Sequence, residues 1–346
     1  MTRTNIATFG ADIELFVADR GECPKVSKAA LERLHGAFAE NGIIKHKASD
    51  YVKELPTSSA PDTMVEHVHL KWFNSEFGAA NDYISGTVVP CVGRFPGTKE
   101  VPWPMPSAPE GFALQEDNVM LEYNIPVCTT PHEFTRAIAT ARRHVRALCN
   151  KENLVPMWKL PEHTFKKQEL QSPQARKFGC LPDNDAYNGG AQRETPPAFG
   201  DLRTAGAHVH IGHNANCPNF VFVLFYELAL ANRLGCTSII NTKSMRHKWY
   251  GKPGIYRDKP YGVEYRTLSN AWTNSSRIRS EVVHCADRIS KTLTFTPTAT
   301  IQRWFRSIDW TVFRELLLSS PETNTEWHQK WSTISEQWGR IHANLL

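Results

Sequence analysis

Several features that identify common protein classes are missing from this sequence of 346 residues. It contains 8 cysteines but no Cys-x-x-Cys pair, which argues against a zinc ribbon. Their scattered spacing favours reduced thiols over a disulfide framework, so we expect a cytoplasmic protein. The most apolar run, residues 220–230, is too short to cross a bilayer and includes Glu227, so we expect no membrane partner.

Two common phosphate-binding motifs are also missing. The chain has neither a Gly-x-x-x-x-Gly-Lys-Ser/Thr loop nor a Gly-x-Gly-x-x-Gly fingerprint, so a phosphate site would have to be built on a sheet. The excess of positive charge is small, with 40 Lys and Arg against 35 Asp and Glu. Nucleic-acid-binding domains usually show a larger, clustered excess, so the charge argues against that partner. An anionic small molecule suits this charge equally well.

The overall composition is that of an ordinary globular protein, with 41% hydrophobic and 22% charged residues. Thr130-Pro131 predicts the start of a helix. Residues 160–203 are polar and rich in proline and glycine, and we expect a long loop there that acts as a lid. Residues 286–346 carry tryptophans at helical spacing, and we expect a helical extension in which these rings pack against other residues.

Polar residues occur two positions apart in several predicted strands. We expect these strands at 6–18, 117–125, 205–212 and 261–269. The pairs are Asp12 with Glu14, His208 with His210, and Glu264 with Arg266. Because side chains alternate along a strand, the two members of each pair share one face. A single pair is also typical of a solvated face or a simple ion pair, but together they favour a sheet with an active site on one face.

Carboxylates dominate two of these strands. Asp12 and Glu14 repel each other unless a cation lies between them. Glu122 lies in an apolar stretch, where a carboxylate is unfavourable unless it is paired or bound to a metal. Oxygen ligands of this kind suit Mg²⁺ or Mn²⁺, whereas His208 and His210 can bind a metal or a phosphate. From the residues alone, an ordinary structural role remains the alternative for each.

A basic stretch that contains glycines precedes the last of these strands. Its basic residues are Arg246, His247, Lys248, Lys252, Arg257 and Lys259. A solvated run of charge is the usual explanation for such a pattern. Beside carboxylates, however, it suits a polyphosphate, because arginine can bind phosphate oxygens in a bidentate fork. The combination predicts a site for a metal-bound nucleoside triphosphate.

The chain resembles the phage-type COOH–NH2 ligases, which are type 2 amidoligases of the glutamine synthetase and glutamate–cysteine ligase superfamily. The segments that carry this resemblance follow the family's order: Gly10–Glu14, Gly97–Glu100, Asp117–Pro126, Ala205–Gly212, Tyr250–Arg257 and Tyr261–Arg266. The resemblance covers residues 6–17 and 86–285. It leaves 18–85 as an expected insertion and 286–346 as the expected extension.

The resemblance implies an α+β fold with a curved, mainly antiparallel sheet and helices packed on its convex face, in a catalytic domain over residues 1–285. It also implies an ATP-dependent ligase. ATP phosphorylates a carboxylate, and an amine attacks the acyl phosphate to give an amide, ADP and phosphate. The expected substrates are small-molecule or peptide carboxylates and amines. The expected location is the cytoplasm, which would be the host cytoplasm for a phage-encoded enzyme.

The resemblance also implies roles for individual residues. The implied ligands of Mg²⁺ or Mn²⁺ are Asp12, Glu14, Glu122, His208 and Glu264. The implied ATP-binding residues are Lys99, His210, Arg246, Arg257 and Arg266. The implied catalytic residues are Arg266, Arg257 and His208. At position 12 this chain has Asp where the superfamily usually has Glu, which gives the carboxylate a shorter reach.

Two other functions remain open from the sequence. One is a metal-dependent hydrolase that uses His208, His210 and His213, because three histidines within six residues favour Zn²⁺. The other is a non-catalytic protein on the same fold that binds a partner through its tryptophan-rich tail.

Overall fold

The computed structural model of the chain describes residues 7–19, 87–176, 182–193, 200–240, 244–319 and 325–342. They form a mixed α+β structure with a large, mainly antiparallel sheet. The chain divides into two compact units, one of Met1–Val17, Val89–Glu152 and Pro156–Leu346, the other of Ala18–Val88 and Asn153–Val155. The expected insertion at 18–85 falls in the second unit and, apart from residues 18 and 19, lies outside the described residues.

The strands of the described residues are β1 Ala7–Asp19, β2 Val88–Val89, β3 Trp103–Pro104, β4 Ala113–Asp117, β5 Met120–Asn124, β6 Leu154–Met157, β7 Glu162–Thr164, β8 Asn184–Asp185, β9 Ala191–Gln192, β10 Leu202–Thr204, β11 Ala207–His213, β12 Ile255–Lys259 and β13 Gly262–Tyr265. The main sheet follows the order β3-β4-β5-β1-β11-β13-β12-β8-β9. Each neighbouring pair in this order is antiparallel. Strands β7 and β10 form a separate two-stranded sheet.

The helices of the described residues are α1 Pro131–Lys151, α2 Pro173–Arg176, α3 Asn219–Leu234, α4 Cys236–Ile239, α5 Met245–Trp249, α6 Ser276–Phe295, α7 Thr298–Arg306, α8 Trp310–Leu318 and α9 Thr325–His342. Short 3₁₀ turns occupy Lys167–Leu170, Ala186–Asn188 and Asn270–Asn274. Within the described ranges, we find no helix with the length and apolar character needed to cross a membrane.

The central strands have two different faces because their side chains alternate. The helix face is apolar and buried, and it carries Phe9, Ile13, Val209, Ile211, Val263 and Tyr265. The opposite face, called the site face below, carries charged and imidazole side chains. The period-two pattern of the sequence therefore separates the core of the protein from its polar residues.

Helices α1 and α3 cover the helix face. The Phe9 ring meets Phe134 of α1 edge to face, with centroids 6.4 Å apart. The Tyr265 ring meets Tyr226 of α3 in the same way at 5.1 Å. The Tyr226 hydroxyl then donates to the carbonyl of Val282 in α6 at 3.0 Å. Each large apolar side chain buried in this layer stabilises the fold by about 1.5–3 kcal/mol.

Several local predictions are confirmed. Strand β1 agrees with the predicted strand at 6–18, and β11 agrees with the one at 205–212. Helix α1 begins at Pro131, with the Thr130 hydroxyl accepting a hydrogen bond from the amide of Glu133 at 3.1 Å. The predicted strand at 117–125 is wrong at its start, since the chain turns between β4 and β5 there.

The predicted loop at 160–203 is not structureless where the structure describes it. Strands β8 and β9 extend the main sheet beyond β12, and β7 pairs with β10. These strands are two or three residues long, and they depend on pairing partners that local sequence does not reveal. Residues 177–181 and 194–199 lie outside the described part, and the role of this stretch as a lid stays a prediction.

The tryptophan-rich tail packs as predicted. Trp304, Trp327 and Trp338 are each less than 10% exposed. The Trp310 ring lies against Phe225 of α3, with centroids 5.5 Å apart. Helix α6 runs through residue 285, so the predicted domain boundary falls inside a continuous helix, and the following helices belong to the same unit as the sheet.

Candidate functional site

Polar side chains of the site face meet because neighbouring strands place them directly opposite one another. The cross-strand partners are Asp12 with His208, Glu14 with Glu122, His210 with Glu264, and Glu264 with Arg257. Directly opposed residues have Cβ atoms about 4.5–5.5 Å apart. The sheet therefore brings together residues that are more than 250 positions apart in sequence.

The first group on the site face consists of Asp12, His208 and Glu264, whose ligand atoms all lie within 4.8 Å of one another. Oδ1 of Asp12 lies 3.2 Å from Nδ1 of His208 and 3.3 Å from Nε2 of His210. Burial raises the pKa of Asp12, but the two histidines outweigh it and lower that pKa well below the usual value. On its other side, Nδ1 of His210 meets the Tyr261 hydroxyl at 2.5 Å.

Cationic side chains surround the Glu264 carboxylate, which is 2% exposed. Arg266 contacts Oε1 directly, Lys259 lies 2.7 Å from Oε2, and Arg257 lies 3.8 Å from Oε1. Burial raises the pKa of Glu264, but Arg266 is the main cause that lowers it to about 2. Glu264 is therefore ionised, with a cationic side chain near each of its two oxygens.

Asp183 orients the two arginines of this cationic group. Its Oδ1 lies 2.9 Å from Nε of Arg257 and 3.2 Å from Nε of Arg266. Sequence reasoning missed Asp183, which lies in the polar stretch predicted as a loop, just before the short strand β8. Nothing in its local pattern distinguishes it, because its partners come from β12 and from the residue after β13.

The second group on the site face consists of Glu14, Asp117 and Glu122, with ligand atoms that also lie within 4.8 Å of one another. Lys99 contacts Oδ2 of Asp117 at 2.9 Å. Burial and then the charges of Asp12, Asp117 and Glu14 raise the pKa of Glu122 well above its usual value. Asp117 could have been named from the sequence, because it lies with Glu122 in Asp117–Pro126, one of the segments that carry the resemblance to amidoligases.

Gly206 allows the chain to pass close to both groups. Its amide donates to Oε2 of Glu14 at 2.6 Å. A Cβ atom at this position would lie 2.6 Å from Nε2 of His208 and 2.6 Å from Nη2 of Arg246. No side chain fits there without displacing one of these groups, which explains a glycine just before β11.

A buried carboxylate on the helix face supports β12 and β13 from behind. Glu227 of α3 is fully buried and accepts hydrogen bonds from the Tyr265 hydroxyl at 2.6 Å, the Tyr187 hydroxyl at 2.8 Å and the Gly254 amide at 2.9 Å. Burial raises its pKa. Since Tyr265 lies between Glu264 and Arg266, this network fixes the strand that carries both.

Two residues named from the sequence belong to neither of the two groups on the site face. Arg246 is 2% exposed, and its guanidinium donates to the carbonyls of Ala205, Arg266 and Leu268. It thus anchors the backbone of three segments, and its role in ATP binding stays a prediction. His213 lies on the helix face, where its ring stacks on Phe222 with centroids 3.9 Å apart.

The donor atoms of both groups fit a hard divalent cation. Oδ1 of Asp12 is buried and has no hydrogen-bond partner of good geometry among the described residues. The second group offers three carboxylates, and Lys99 is the cation that contacts it in the described structure. Mg²⁺ and Mn²⁺ prefer such oxygen ligands. The cationic side chains around Glu264 instead suit an anion placed beside the metal ligands.

Comparison with known proteins adds no identification. No protein-family model matches the chain, and neither does any curated protein sequence. The resemblance to amidoligases therefore stays a prediction, and the chemistry of the site has to carry any functional conclusion.

Proposed function

We propose that this protein is an ATP-dependent carboxylate–amine ligase with a sheet of the glutamine synthetase and glutamate–cysteine ligase type. The observation that carries the proposal is the separation of charge across the site face. Carboxylates gather on β1, β4 and β5, whereas cationic side chains gather on β12 and at the end of β13. A polyphosphate with bound Mg²⁺ has the complementary distribution of charge.

In this proposal the carboxylate end of the face binds the metal. Glu14, Asp117 and Glu122 would hold one Mg²⁺ or Mn²⁺, and Asp12, His208 and Glu264 form the second group that can accept a cation. When bound, the metal supplies charge neutralisation for the phosphate oxygens. Its binding also removes the mutual repulsion that raises the pKa of Glu122.

The cationic end of the face would bind and stabilise the transferring phosphoryl group. Arg257 and Arg266 are held by Asp183 and Glu264, so their guanidinium groups are oriented before a ligand arrives. Such preorganised charges stabilise a transition state without reorganisation. The substrate carboxylate would approach the same end, since its negative charge is repelled by the carboxylates of β1 and β5.

Ligand-dependent thermal stability tests the nucleotide site. We expect wild-type protein to melt at a higher temperature with ATP and Mg²⁺ together, by an amount that corresponds to ~2.7 kcal/mol at a ligand concentration of 100 times Kd. Glu264→Gln and Glu122→Gln should each lose most of this shift. Glu336→Gln, at an exposed position on α9, should keep it.

The reaction itself is tested by release of ADP. Pools of carboxylates and amines are supplied with Mg-ATP, and ADP release should require both substrates. Release of ADP that needs only a carboxylate would indicate an acyl phosphate that water hydrolyses. A protein that shows no Mg-ATP shift in wild type, while its fold is intact, would refute the proposal.

The alternative of a three-histidine zinc hydrolase loses its main support. His208 and His210 share the site face, but His213 stacks on Phe222 on the opposite side of the sheet. Metal analysis of the purified protein separates the two functions, because stoichiometric, tightly bound zinc would favour a hydrolase over the ligase.

A further inference from the structure

Two arginines on the helix side of the sheet converge on one residue. Nη1 of Arg142 in α1 donates to the Thr273 hydroxyl at 3.2 Å, and Nη1 of Arg279 in α6 donates to the Thr273 carbonyl. Nη2 of Arg142 also donates to Asn274 at 2.9 Å. These partners are neutral, and no carboxylate pairs with either arginine among the described residues.

The surroundings make this pairing of like charges more unfavourable. Burial is the main cause that lowers the pKa of Arg142 to about 10; Tyr123 opposes this shift, and the charge of Arg279 contributes to it. Burial also lowers the pKa of Arg279. Both shifts have the sign expected for cations that lack a counter-charge.

The first turn of α6 adds positive potential at the same place. This helix begins at Ser276, and its first turn contains Arg277 and Arg279 but no acidic residue. Helix N-termini normally favour acidic side chains, because their free amide groups carry partial positive charge. Basic residues at this end of a 20-residue helix therefore leave a local excess of positive charge.

Two buried donor atoms at this place lack a hydrogen bond of good geometry. The Tyr123 side chain is fully buried, and its hydroxyl lies near Thr273, Arg142 and Arg279 without a hydrogen bond of good geometry. Nε of Arg279 is buried and also lacks a partner. Buried donors are normally satisfied, and leaving one unsatisfied costs about 1–3 kcal/mol.

An aromatic wall closes the same region. The guanidinium carbon of Arg142 lies 4.0 Å from the centre of the Trp158 ring, and the Tyr123 ring meets Trp158 edge to face at 6.3 Å. Trp158 is 3% exposed, so one side of the Arg142 guanidinium is shielded from water.

We propose that Arg142, Arg279 and Tyr123 form a binding site for a small oxyanion, a phosphate or a carboxylate group, on the helix side of the sheet. The oxyanion accepts from both guanidinium groups and from the Tyr123 hydroxyl, and it neutralises the first turn of α6. Tyr123 follows Glu122 directly in β5, so this site and the candidate metal site lie on opposite faces of one strand. The proposal does not depend on the ligase function.

The test is thermal unfolding with millimolar sodium phosphate or sodium acetate, at an ionic strength held constant with sodium chloride. We expect a saturable rise in the melting temperature with at least one of the two anions. A response to phosphate alone identifies a phosphate-type ligand, and a response to acetate alone identifies a carboxylate. Low concentrations avoid the general stabilisation that phosphate produces at high concentration.

Arg279→Gln is the diagnostic variant, and Arg143→Gln in α1 and Arg288→Gln in α6, both outside the first turn of α6, are exposed controls on the same two helices. We expect an at least tenfold higher apparent Kd in Arg279→Gln and an unchanged Kd in both controls. In chloride alone, Arg279→Gln should melt no lower than wild type, because it removes a like-charge contact. This result also shows that the variant folds.

Phosphate can also bind the cationic end of the site face. Lys259→Gln, which weakens that end, distinguishes binding there from binding at the proposed oxyanion site. We expect this variant to keep the shift that Arg279→Gln loses. The proposal is overturned by an absence of any saturable shift, by equal shifts in wild type and Arg279→Gln, or by a shift that only Lys259→Gln abolishes.

Discussion

Replacing Glu122 with glutamine removes one negative charge from the group of Glu14, Asp117 and Glu122 and keeps the shape of the side chain. The carboxylate is 5% exposed, and burial and then the charges of its neighbours raise its pKa. Without a divalent cation, the wild-type carboxylates repel one another. The substitution should therefore stabilise the metal-free protein, although most substitutions at buried positions destabilise.

The size of the effect follows from the geometry. The carboxylate oxygens lie within 4.8 Å of one another. At that distance, two unit charges repel by ~3.5 kcal/mol at an effective dielectric constant of ~20, so two neighbours give ~7 kcal/mol. The net repulsion is smaller than this, because Lys99 offsets part of it and partial protonation of Glu122 relieves another part. We expect a gain of about 1–3 kcal/mol, which is a rise of ~2–12 °C in melting temperature at ~2–4 °C per kcal/mol.

A divalent cation should reverse the order of the melting temperatures, so that wild type melts above Glu122→Gln. Mg²⁺ or Mn²⁺ at 100 times its Kd stabilises the wild type by ~2.7 kcal/mol, and Glu122→Gln should gain little because one ligand is lost. The assay is differential scanning calorimetry with EDTA and with each metal. The matched control is Glu110→Gln, an exposed carboxylate that should change neither curve.

Either of two results would refute this reasoning. A lower melting temperature for Glu122→Gln in EDTA would mean that the carboxylate makes stabilising contacts that outweigh the repulsion. An equal rise in wild type and variant on adding metal would mean that the cation binds elsewhere.

Three further predictions follow from single contacts. Gly206→Ala places a Cβ 2.6 Å from buried neighbours and should destabilise the fold by about 1–3 kcal/mol, as measured by urea unfolding. The control is Gly339→Ala on the open surface of α9, which should stabilise the fold by about 0.5–1 kcal/mol. Arg246→Met removes a donor from three buried carbonyls, of which that of Leu268 keeps the Ala207 amide, and should cost about 2–5 kcal/mol in the same assay. Burial lowers the pKa of His213 from 6.5 to about 4, so the wild type should lose up to ~3 kcal/mol as the pH falls through that interval, and His213→Phe should lose less.

The sign of the pH effect follows from proton binding. The unfolded chain binds a proton at His213 near pH 6.5, whereas the folded protein binds it only near pH 4. The stabilisation is therefore complete above pH 6.5 and is lost as the pH falls. Parallel curves of stability against pH for wild type and His213→Phe would contradict the lowered pKa of His213. An unchanged free energy of unfolding in Arg246→Met would contradict the anchoring role of the Arg246 side chain.

Local sequence determined the faces of the strands. The alternation through Asp12 and Glu14, and through His208 and His210, predicted which residues share a side, because the period of a strand is set by the backbone alone. The same alternation places His213 on the opposite face, so the three-histidine hypothesis was in conflict with the period of β11. Helix α1 was equally readable, since Thr130 caps it through contacts within four residues.

Only the tertiary structure decided which charges meet. Strand order and register place Asp12 opposite His208, and they bring Asp183 to Arg257 across 74 positions of sequence. Nothing local reveals that Arg246 is buried among carbonyls, because its partners come from other elements. The sequence alone thus determined which residue types face the site, through short-range periodicity. Long-range pairing decided the two metal-binding groups and their cationic neighbours, because pairing depends on the energy of the whole sheet.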